Sequence, residues 1–455
     1  MKKLKIVIIG AGSAGFGRGA VADIFSCEEL RAYDLTVSLV DIDGKALDRM
    51  RRLAHLIRDH HKASGRIEAA TERTEVLSDA DYVISSVARD RWKMWEKDFY
   101  IPAAYGFRHV FGENGGPGGA FHTLRSLHLM IPIARDMEKL CPGAALLNYT
   151  NPESRVILGI SKMTGVRSVG LCHGVFATLR RVAQVLEREM EEIDLTIGGI
   201  NHFHWALEIW DKRSGEDLRP EFDRRMHEKS WGFDALTRRF YDLFGYLTYP
   251  APSHPGEYVN FAYDTIGPVF LNWGIGGVSR RPADTAEEKD YTIDGRPGSA
   301  SYELWSLDQA VKIQAIADGK APLTDEYARP TTELAVPIIC DMEFDKKRRE
   351  ISVNVPNAGR AVENLPEDAI VEVPGIVGAD GVEPVHVGPL PEPIAALCHK
   401  QACIQNLIVE SYRQRSKKLL LQALAIDPVV DSVKRAEAMM EHMLRIQADY
   451  LPELE

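Results

Sequence analysis

Residues 4–15 constrain this chain more than any other stretch. A continuous β-favouring apolar run over 4–9 ends in Gly10-Ala11-Gly12-Ser13-Ala14-Gly15, and a helix-favouring segment follows over 17–25. A glycine turn between a buried strand and a helix has a specific geometry. Gly10 permits the tight turn, Gly12 lets backbone approach a pyrophosphate, and Gly15 lets the helix pack close to the strand. The amides of the turn, through Ser13 and Ala14, face the anion at the helix start. Asp41 ends the second β run. A carboxylate there accepts hydrogen bonds from the adenosine ribose and repels a 2′-phosphate. The pattern predicts a dinucleotide site that prefers NAD to NADP. FAD is the lesser alternative, and a ligand-free glycine turn is the bland one.

Further β runs at 37–40, 82–86, 145–147 and 166–171 alternate with helix-like stretches at 45–63, 121–141 and 177–192. Buried strands alternating with helices imply a parallel sheet covered on both faces. The fold class is therefore α/β: an N-terminal Rossmann-type doubly wound sheet, of the kind lactate and malate dehydrogenases carry, with a C-terminal α+β part. The second half reads differently. Residues 205–272 look loop-rich, and 274–294 reads as an irregular polar surface segment. Strands are predicted at 350–355 and 369–373, separated by the turn-rich 356–366, and the last 65 residues or so are helical in pattern, with Pro428 as a start or break. The boundary is placed near residue 200. Residues 1–200 form an NAD-binding domain, and 201–455 form a substrate-binding and oligomerisation domain.

Composition removes several classes. The 455 residues carry a formal net charge of −11 and are 45% hydrophobic. Such a chain builds a large soluble core and has no general attraction for nucleic acid or anionic membranes. No run of 18 apolar residues is present to span a bilayer. The six cysteines are scattered with no CxxC pair, which suits reduced thiols in the cytoplasm. The lysine-rich start resembles a signal peptide, but Lys5 interrupts a run already too short for one. A buried first strand is the better reading.

Other motifs sit where strands end. Cys172-His173-Gly174-Val175 follows the 166–171 run, and Gly199-Ile200-Asn201-His202-Phe203-His204-Trp205 follows another apolar stretch. One thiolate and one imidazole can hold a divalent ion and leave positions open for substrate. Taken alone, Cys172 also reads as a small buried hydrophobe and His202 or His204 as a core histidine. His173 reads as a ligand, an acid or a substrate contact. In Asn148-Tyr149-Thr150-Asn151-Pro152, Pro152 pushes Asn151 out of the α region, aiming its amide at the same crevice or simply turning the chain. The segment 111–119, FGENGGPGG, is too glycine-rich for a helix or strand and feeds a helix near Ala120. It brings backbone near a ligand, with Glu113 as its only ionisable group, or it is a solvated loop.

Together these residues resemble the NAD- and manganese-dependent glycosidases of glycoside hydrolase family four, the melibiase and α-glucosidase group. The resemblance runs over nearly the whole chain: GAGSAGF at the start, Asp41, GPGG at 116–119, NYTNP at 148–152, LCHGV at 171–175 and GINHFHW at 199–205. It continues through NVPNAG at 354–359, NLPEDAIVEVP at 364–374, GPLP at 388–391 and YLP at 450–452. It implies hydrolysis by a redox route. NAD takes hydride from the sugar C3, a base removes the C2 proton, the C1 bond eliminates, water adds, and the hydride returns. It also implies a divalent metal, usually manganese, on Cys172 and His202. That ion would stabilise the charge that develops at the C2 and C3 oxygens. Asn151 matches the family's substrate contact, and Glu113 matches an acid near the base.

The base and the acid are where the match thins. The stretch 249–258, YPAPSHPGEY, resembles the melibiase pattern, and both Tyr258 and His254 are candidate bases. Phosphoglucosidases carry Asp after the metal cysteine, whereas His173 stands there. Phosphosugar members also carry an arginine about where Trp95 stands. Together with CHGV, this argues for an unphosphorylated glycoside, with α-galactosidase favoured and α-glucosidase or uronidase as alternatives. A hydroxyacid dehydrogenase is the alternative of another class, and a non-catalytic NAD-sensing module is the third. The family implies a homodimer or homotetramer.

Overall fold

A computed structural model of the chain describes residues 1–272, 292–293, 296–297 and 300–455. The predicted surface segment 274–294 lies outside the described residues, apart from the strand Thr292–Ile293. The first half is built from β1 (Lys3–Ile9), α1 (Phe16–Ser26), β2 (Asp34–Val40), α2 (Gly44–His60), β3 (Arg66–Ala70), β4 (Tyr82–Ser85), α3 (Arg91–Ala104), α4 (Gly116–Leu140), β5 (Ala145–Asn148), α5 (Glu153–Met163), β6 (Arg167–Gly170) and α6 (Gly174–Leu186). β1 to β6 run parallel in the order 3-2-1-4-5-6, which is the Rossmann order. β1 places Ile6 and Ile8 in the apolar layer beneath α1 and α2. Val7 and Ile9 enter the opposite layer, beneath α4 and α5. The strand is therefore apolar on both faces, as a buried parallel strand must be.

Register aligns the strand ends. Ile9 lies beside Val40 and Ser85, Ser85 beside Asn148, and Asn148 beside Gly170. The residues that follow these five ends therefore emerge along one edge of the sheet. β1 is the switch point, because the chain leaves it towards β2 on one side and β4 on the other.

Several expectations for the second half are corrected. The stretch 205–272 is not mainly loop. β7 (Ile193–Ile200) and β8 (Phe203–Asp211) form an antiparallel hairpin, and helices Arg219–Glu228 and Ala235–Phe244 follow. The helix predicted to reach 192 stops at Leu186, where Glu187 turns left-handed (φ 56°). β9 (Arg348–Pro356), β10 (Ile370–Gly378) and β11 (Gly381–Pro384) are longer or additional strands. They extend the first-half sheet, antiparallel, beyond β6. The halves thus share one sheet. The C-terminal helices Glu392–Gln414, Lys417–Ile426 and Val433–Ile446 appear where the pattern placed them, and Pro428 follows a helix end.

One buried acid in β9 makes stability pH-dependent. Burial, reinforced by nearby Asp341, pushes the Glu350 carboxyl up to about 7. A carboxyl raised in the folded state takes up a proton on folding. Its contribution is therefore full below about 4.5 and is lost as pH rises towards 7. Glu350→Gln should be more stable than the parent at pH 8, by on the order of 1 kcal/mol. The two should melt together at pH 4.5. Thermal melts at the two pH values check it, and an equal offset at both would overturn it.

Candidate active site

The glycine turn is shaped by backbone contact. Gly10 has φ +90°, and a Cβ there would stand 2.0 Å from the Ser86 carbonyl oxygen. Gly10 and Ala11 donate their N–H groups to the Val40 carbonyl at 2.9 and 3.0 Å. The Asp41 carboxylate accepts from Gly12 N at 2.8 Å and Asp43 N at 2.9 Å. The acid is thus tied to the turn itself. One role moves. The close helix approach assigned to Gly15 belongs to Gly17, where a Cβ would meet the Ala11 carbonyl at 2.1 Å. A Cβ on Gly15 meets only Trp305 ring atoms at 3.7 Å, because Gly15 caps α1 instead of packing under it. Gly17→Ala should therefore displace the start of α1. NAD affinity should fall at least about tenfold, with a stability loss of about 1–3 kcal/mol. Titration of NAD fluorescence quenching and a melt check both, and unchanged affinity would place the turn outside the cofactor site.

The GPGG sequence is not a loop. It forms the first turn of α4, which begins at Gly116 instead of Ala120. These glycines are needed for close packing. A Cβ on Gly118 would meet the Asp98 carbonyl at 2.4 Å, and one on Gly119 would meet Asn114 backbone carbon at 2.6 Å. Glu113, just before this turn, is buried and not solvated. Arg91 Nη2 donates to its Oε1 at 2.5 Å. Burial pushes its carboxyl up, and Arg91 opposes that. Glu257 accepts from the backbone N–H groups of Glu113 (2.5 Å) and Asn114 (3.0 Å) and so fixes the segment.

The metal-pair candidates come from two turns. Cys172 follows β6 and is half-buried, and its Sγ accepts from Gly174 N at 3.4 Å. Enclosure and the Glu372 carboxylate push the thiol up, while the Asn201 side chain favours the thiolate. His202 sits in the two-residue turn between β7 and β8 with φ 62°, a left-handed conformation costing on the order of 1 kcal/mol. Asn114 Nδ2 lies 3.1 Å from its Nδ1. Burial and the neighbouring His254 lower the ring's proton affinity, which favours the neutral form that a metal ligand needs. His254 meets His202 edge to face at 4.3 Å between centroids, and Ser253 Oγ lies 2.9 Å from His254 Nδ1. Tyr249 joins the two turns. Its ring lies 5.8 Å from His202 and 5.1 Å from His254. A Cβ on Gly174 would stand 3.1 Å from its Cζ and 3.4 Å from Cys172 Sγ. Among the described residues no three His, Cys, Asp or Glu side chains close into a metal cage.

Glu333 joins this group to the dinucleotide edge. Its Oε1 lies 3.1 Å from His173 Nδ1, and this contact raises the imidazole's proton affinity. Glu333 also lines a recess of about 370 Å³ with Gly10, Phe16, Gly17, Ser86 and Tyr149. A larger recess of about 540 Å³ is lined by Arg91, Trp95, Glu113, His122 and Tyr450, among others. Trp95 is buried and donates its Nε1–H to the Phe111 carbonyl at 3.1 Å. Asn151 follows β5 in a cis bond to Pro152, and its carbonyl accepts from Ser126 Oγ at 2.6 Å. Tyr258 is buried against Phe203, and its hydroxyl reaches the Asn201 carbonyl at 3.5 Å. His204 is fully buried, with Nε2 2.8 Å from Thr178 Oγ1 and Nδ1 3.1 Å from Glu372 Oε2. The core-histidine reading thus holds for His204.

Sequence reasoning did not single out Asn114, Tyr249, Glu257 or Glu333. Three of them lay inside quoted motifs, at 111–119 and 249–258. Glu333 carried no local signal at all.

The model described as family 4 glycosyl hydrolase matches residues 5–188, and the model of that family's C-terminal domain matches 197–430. An α-galactosidase of Bacillus subtilis (strain 168) is 30% identical over 99% of both chains. An α-glucosidase of Erwinia rhapontici is 30% identical over 98% of both. A solved 6-phospho-α-glucosidase from gut microorganisms, in complex with NAD and Mn2+, shares the fold. Its TM-score is 0.82 at 20% identity, with all of both chains covered. Two domain models matched in order, full-length likeness to two glycosidases and a sheet of Rossmann order place this chain among the family 4 glycosyl hydrolases.

Proposed function

We propose that this chain is a glycosidase that uses NAD and a divalent metal on an unphosphorylated sugar, with an α-galactoside as its substrate. The observation that carries the reading is the double bridge by Glu333 and Tyr249. Glu333 meets His173 and lines the recess that holds Gly10, while Tyr249 lies beside His202 and beside Gly174, so direct contacts link the three turns.

The residues fit both groups. The Gly10–Gly15 turn offers close backbone approach beside an acid suited to a ribose. A thiol and a neutral imidazole are borderline-soft donors suited to a divalent transition ion with open positions. Cys172 and His202 would hold the metal. Gly10, Gly12, Ser13, Ala14, Gly15 and Asp41 would hold NAD. When bound, NAD supplies a reversible hydride acceptor, and the cation supplies a Lewis acid at sugar oxygens.

The chain's own residues position and protonate. Asn114 holds the His202 ring, and the Arg91–Glu113 pair together with Glu257 holds Asn114. His254, with Nδ1 on Ser253 and its ring edge to face with His202, is the first candidate to take the proton from the sugar C2, and burial lowers its own pKa to about 4. Tyr258 is the alternative base, but its hydroxyl is directed to Asn201 and it braces the His202 turn. Tyr249 stands nearer the two turns and is a further candidate. His173, held by Glu333, is placed to protonate the leaving oxygen, and Asn151 to hold a sugar hydroxyl.

Two observations support an unphosphorylated substrate. Trp95 forms an apolar wall where phosphosugar enzymes carry arginine, and the charge of nearby Arg91 is engaged by Glu113. The α-galactosidase likeness favours a galactoside, and the equal identity to an α-glucosidase makes glucosides the second arm of the test. We further propose a homodimer or homotetramer, with the passage from the dinucleotide half to the sugar half near residue 200. Light scattering checks the former. Among the described residues no helix is long and apolar enough to cross a membrane.

The experiment is a screen of nitrophenyl α- and β-glycosides, galacturonides included, with NAD, Mn2+ and reductant, each then omitted in turn. Cleavage of the α-galactoside only with all three, without net NADH and slowed by deuterium at C2 or C3, is expected. Full activity without NAD and metal would overturn the reading. So would stoichiometric NADH from a hydroxyacid.

A further inference from the structure

Two thiols that the proposed reaction does not use lie together. Cys27 Sγ and Cys340 Sγ are 3.4 Å apart although 313 positions separate them in the chain. Cys27 directly follows α1, and Cys340 lies on the helix Ala335–Glu343, which packs in the same apolar layer. Both are free thiols. The sulfurs are in contact, so reaching the bond length of about 2.05 Å needs only a small side-chain movement.

Their access and surroundings differ. Cys27 is half-buried, whereas Cys340 is buried. Cys27 stands at the start of the short 3-10 helix Glu29–Ala32. The Cys340 thiol and the N–H groups of Leu30 and Glu29 pull its thiol down towards the thiolate. Lys346 Nζ pairs with the Glu29 carboxylate at 2.5 Å, which limits repulsion from that acid. The other cysteines outside the crevice go the opposite way. Burial pushes Cys141 up to about 11 and Cys398 up to about 12, and it raises Cys403.

We propose that Cys27 and Cys340 form a thiol–disulfide couple, a second site of sulfur chemistry separate from Cys172, with a peroxide as oxidant. The Cys27 thiolate attacks one peroxide oxygen. The O–O bond breaks, the departing oxygen takes a proton and leaves as water, and Cys27 becomes a sulfenic acid. The Cys340 sulfur then attacks the Cys27 sulfur. The S–O bond breaks, a second water leaves, and the S–S bond forms. Two thiols lose two electrons and the peroxide gains them. A dithiol reductant reverses the change. The bond would pin α1, which begins just beyond the glycine turn, to the helix whose Ala335 and Val336 line the recess with Gly10.

The test uses the full-length protein with NAD and Mn2+. It is treated with a few equivalents of hydrogen peroxide, blocked with N-ethylmaleimide, digested without reductant and mapped by mass spectrometry. A peptide linking Cys27 to Cys340, lost on adding dithiothreitol, is expected. Before oxidation, iodoacetamide at pH 7 should label Cys27 at least about tenfold faster than Cys403. In Cys340→Ala, dimedone should trap a sulfenic acid on Cys27. Recovery of both Cys27 and Cys340 as maleimide adducts after Cys403 has been oxidised would overturn the proposal. So would a Cys27 disulfide to any other cysteine. The parent-protein map decides the question even if the alanine variant folds poorly.

Discussion

Cys172→Ser should remove turnover and manganese affinity together, with glycoside cleavage falling by at least roughly 10²–10³-fold, the scale of losing a major electrostatic stabiliser. In the structure the thiol is disfavoured as an anion by enclosure and by the Glu372 carboxylate. A bound cation reverses that balance, because a coordinated thiol is deprotonated outright. A serine hydroxyl ionises far less readily and is a harder ligand, so it would leave His202 as the remaining strong donor. The geometry of the turn should survive, since Gly174 N can donate to an Oγ as it does to Sγ at 3.4 Å. NAD affinity should therefore change little, which separates metal loss from misfolding. Calorimetric titration with Mn2+, NAD titration and nitrophenyl glycoside assays make the measurement. A Cys172→Ser protein that binds Mn2+ as the parent does would dismiss the ligand assignment.

Asp98→Ala should cost about 3–5 kcal/mol of stability, the cost of leaving one member of a buried ion pair alone. Asp98 on α3 accepts from Arg125 on α4 through both oxygens, one at 2.9 Å, and both side chains are buried. Gln447, just after the last helix, accepts from the same guanidinium at 2.6 Å. The pair therefore ties α3, α4 and the segment after the last helix together. The double replacement Asp98→Leu with Arg125→Met should recover most of the loss, because it leaves no unpaired buried charge. Urea unfolding of the three variants measures this. Equal damage in the single and double variants would show that packing, not charge, carries the effect.

The legible parts of the molecule share a cause. β1, α1, the glycine turn and Asp41 belong to a local unit whose hydrophobic period and turn chemistry are visible within a few dozen residues. Cys172 and His202 were singled out through motifs, and the structure places each at a strand end. What escaped was non-local. Glu333 gained its position because β1's layer packs against a helix more than 300 residues away, and nothing near it in sequence marks that contact. The GPGG segment was misread because glycines that avoid a backbone collision look like glycines that give flexibility. Only the neighbouring Asp98 and Asn114 backbone distinguishes the two. The 205–272 stretch looked loop-rich because its aromatic and proline residues mask short elements that are stabilised by packing rather than by propensity.

By itself, the sequence determined the sheet's parallel half, the dinucleotide turn and the family resemblance, since these rest on periodicity and on contiguous motifs. Tertiary structure alone decided which of these side chains meet. The strands at 348–384 close the same sheet, Glu333 and Tyr249 bridge separate turns, and Gly17 rather than Gly15 meets the backbone. The reason is physical. Local patterns specify which face of an element is apolar, but the partner of a buried polar group is set by where distant elements pack, and that is fixed only when the whole core forms.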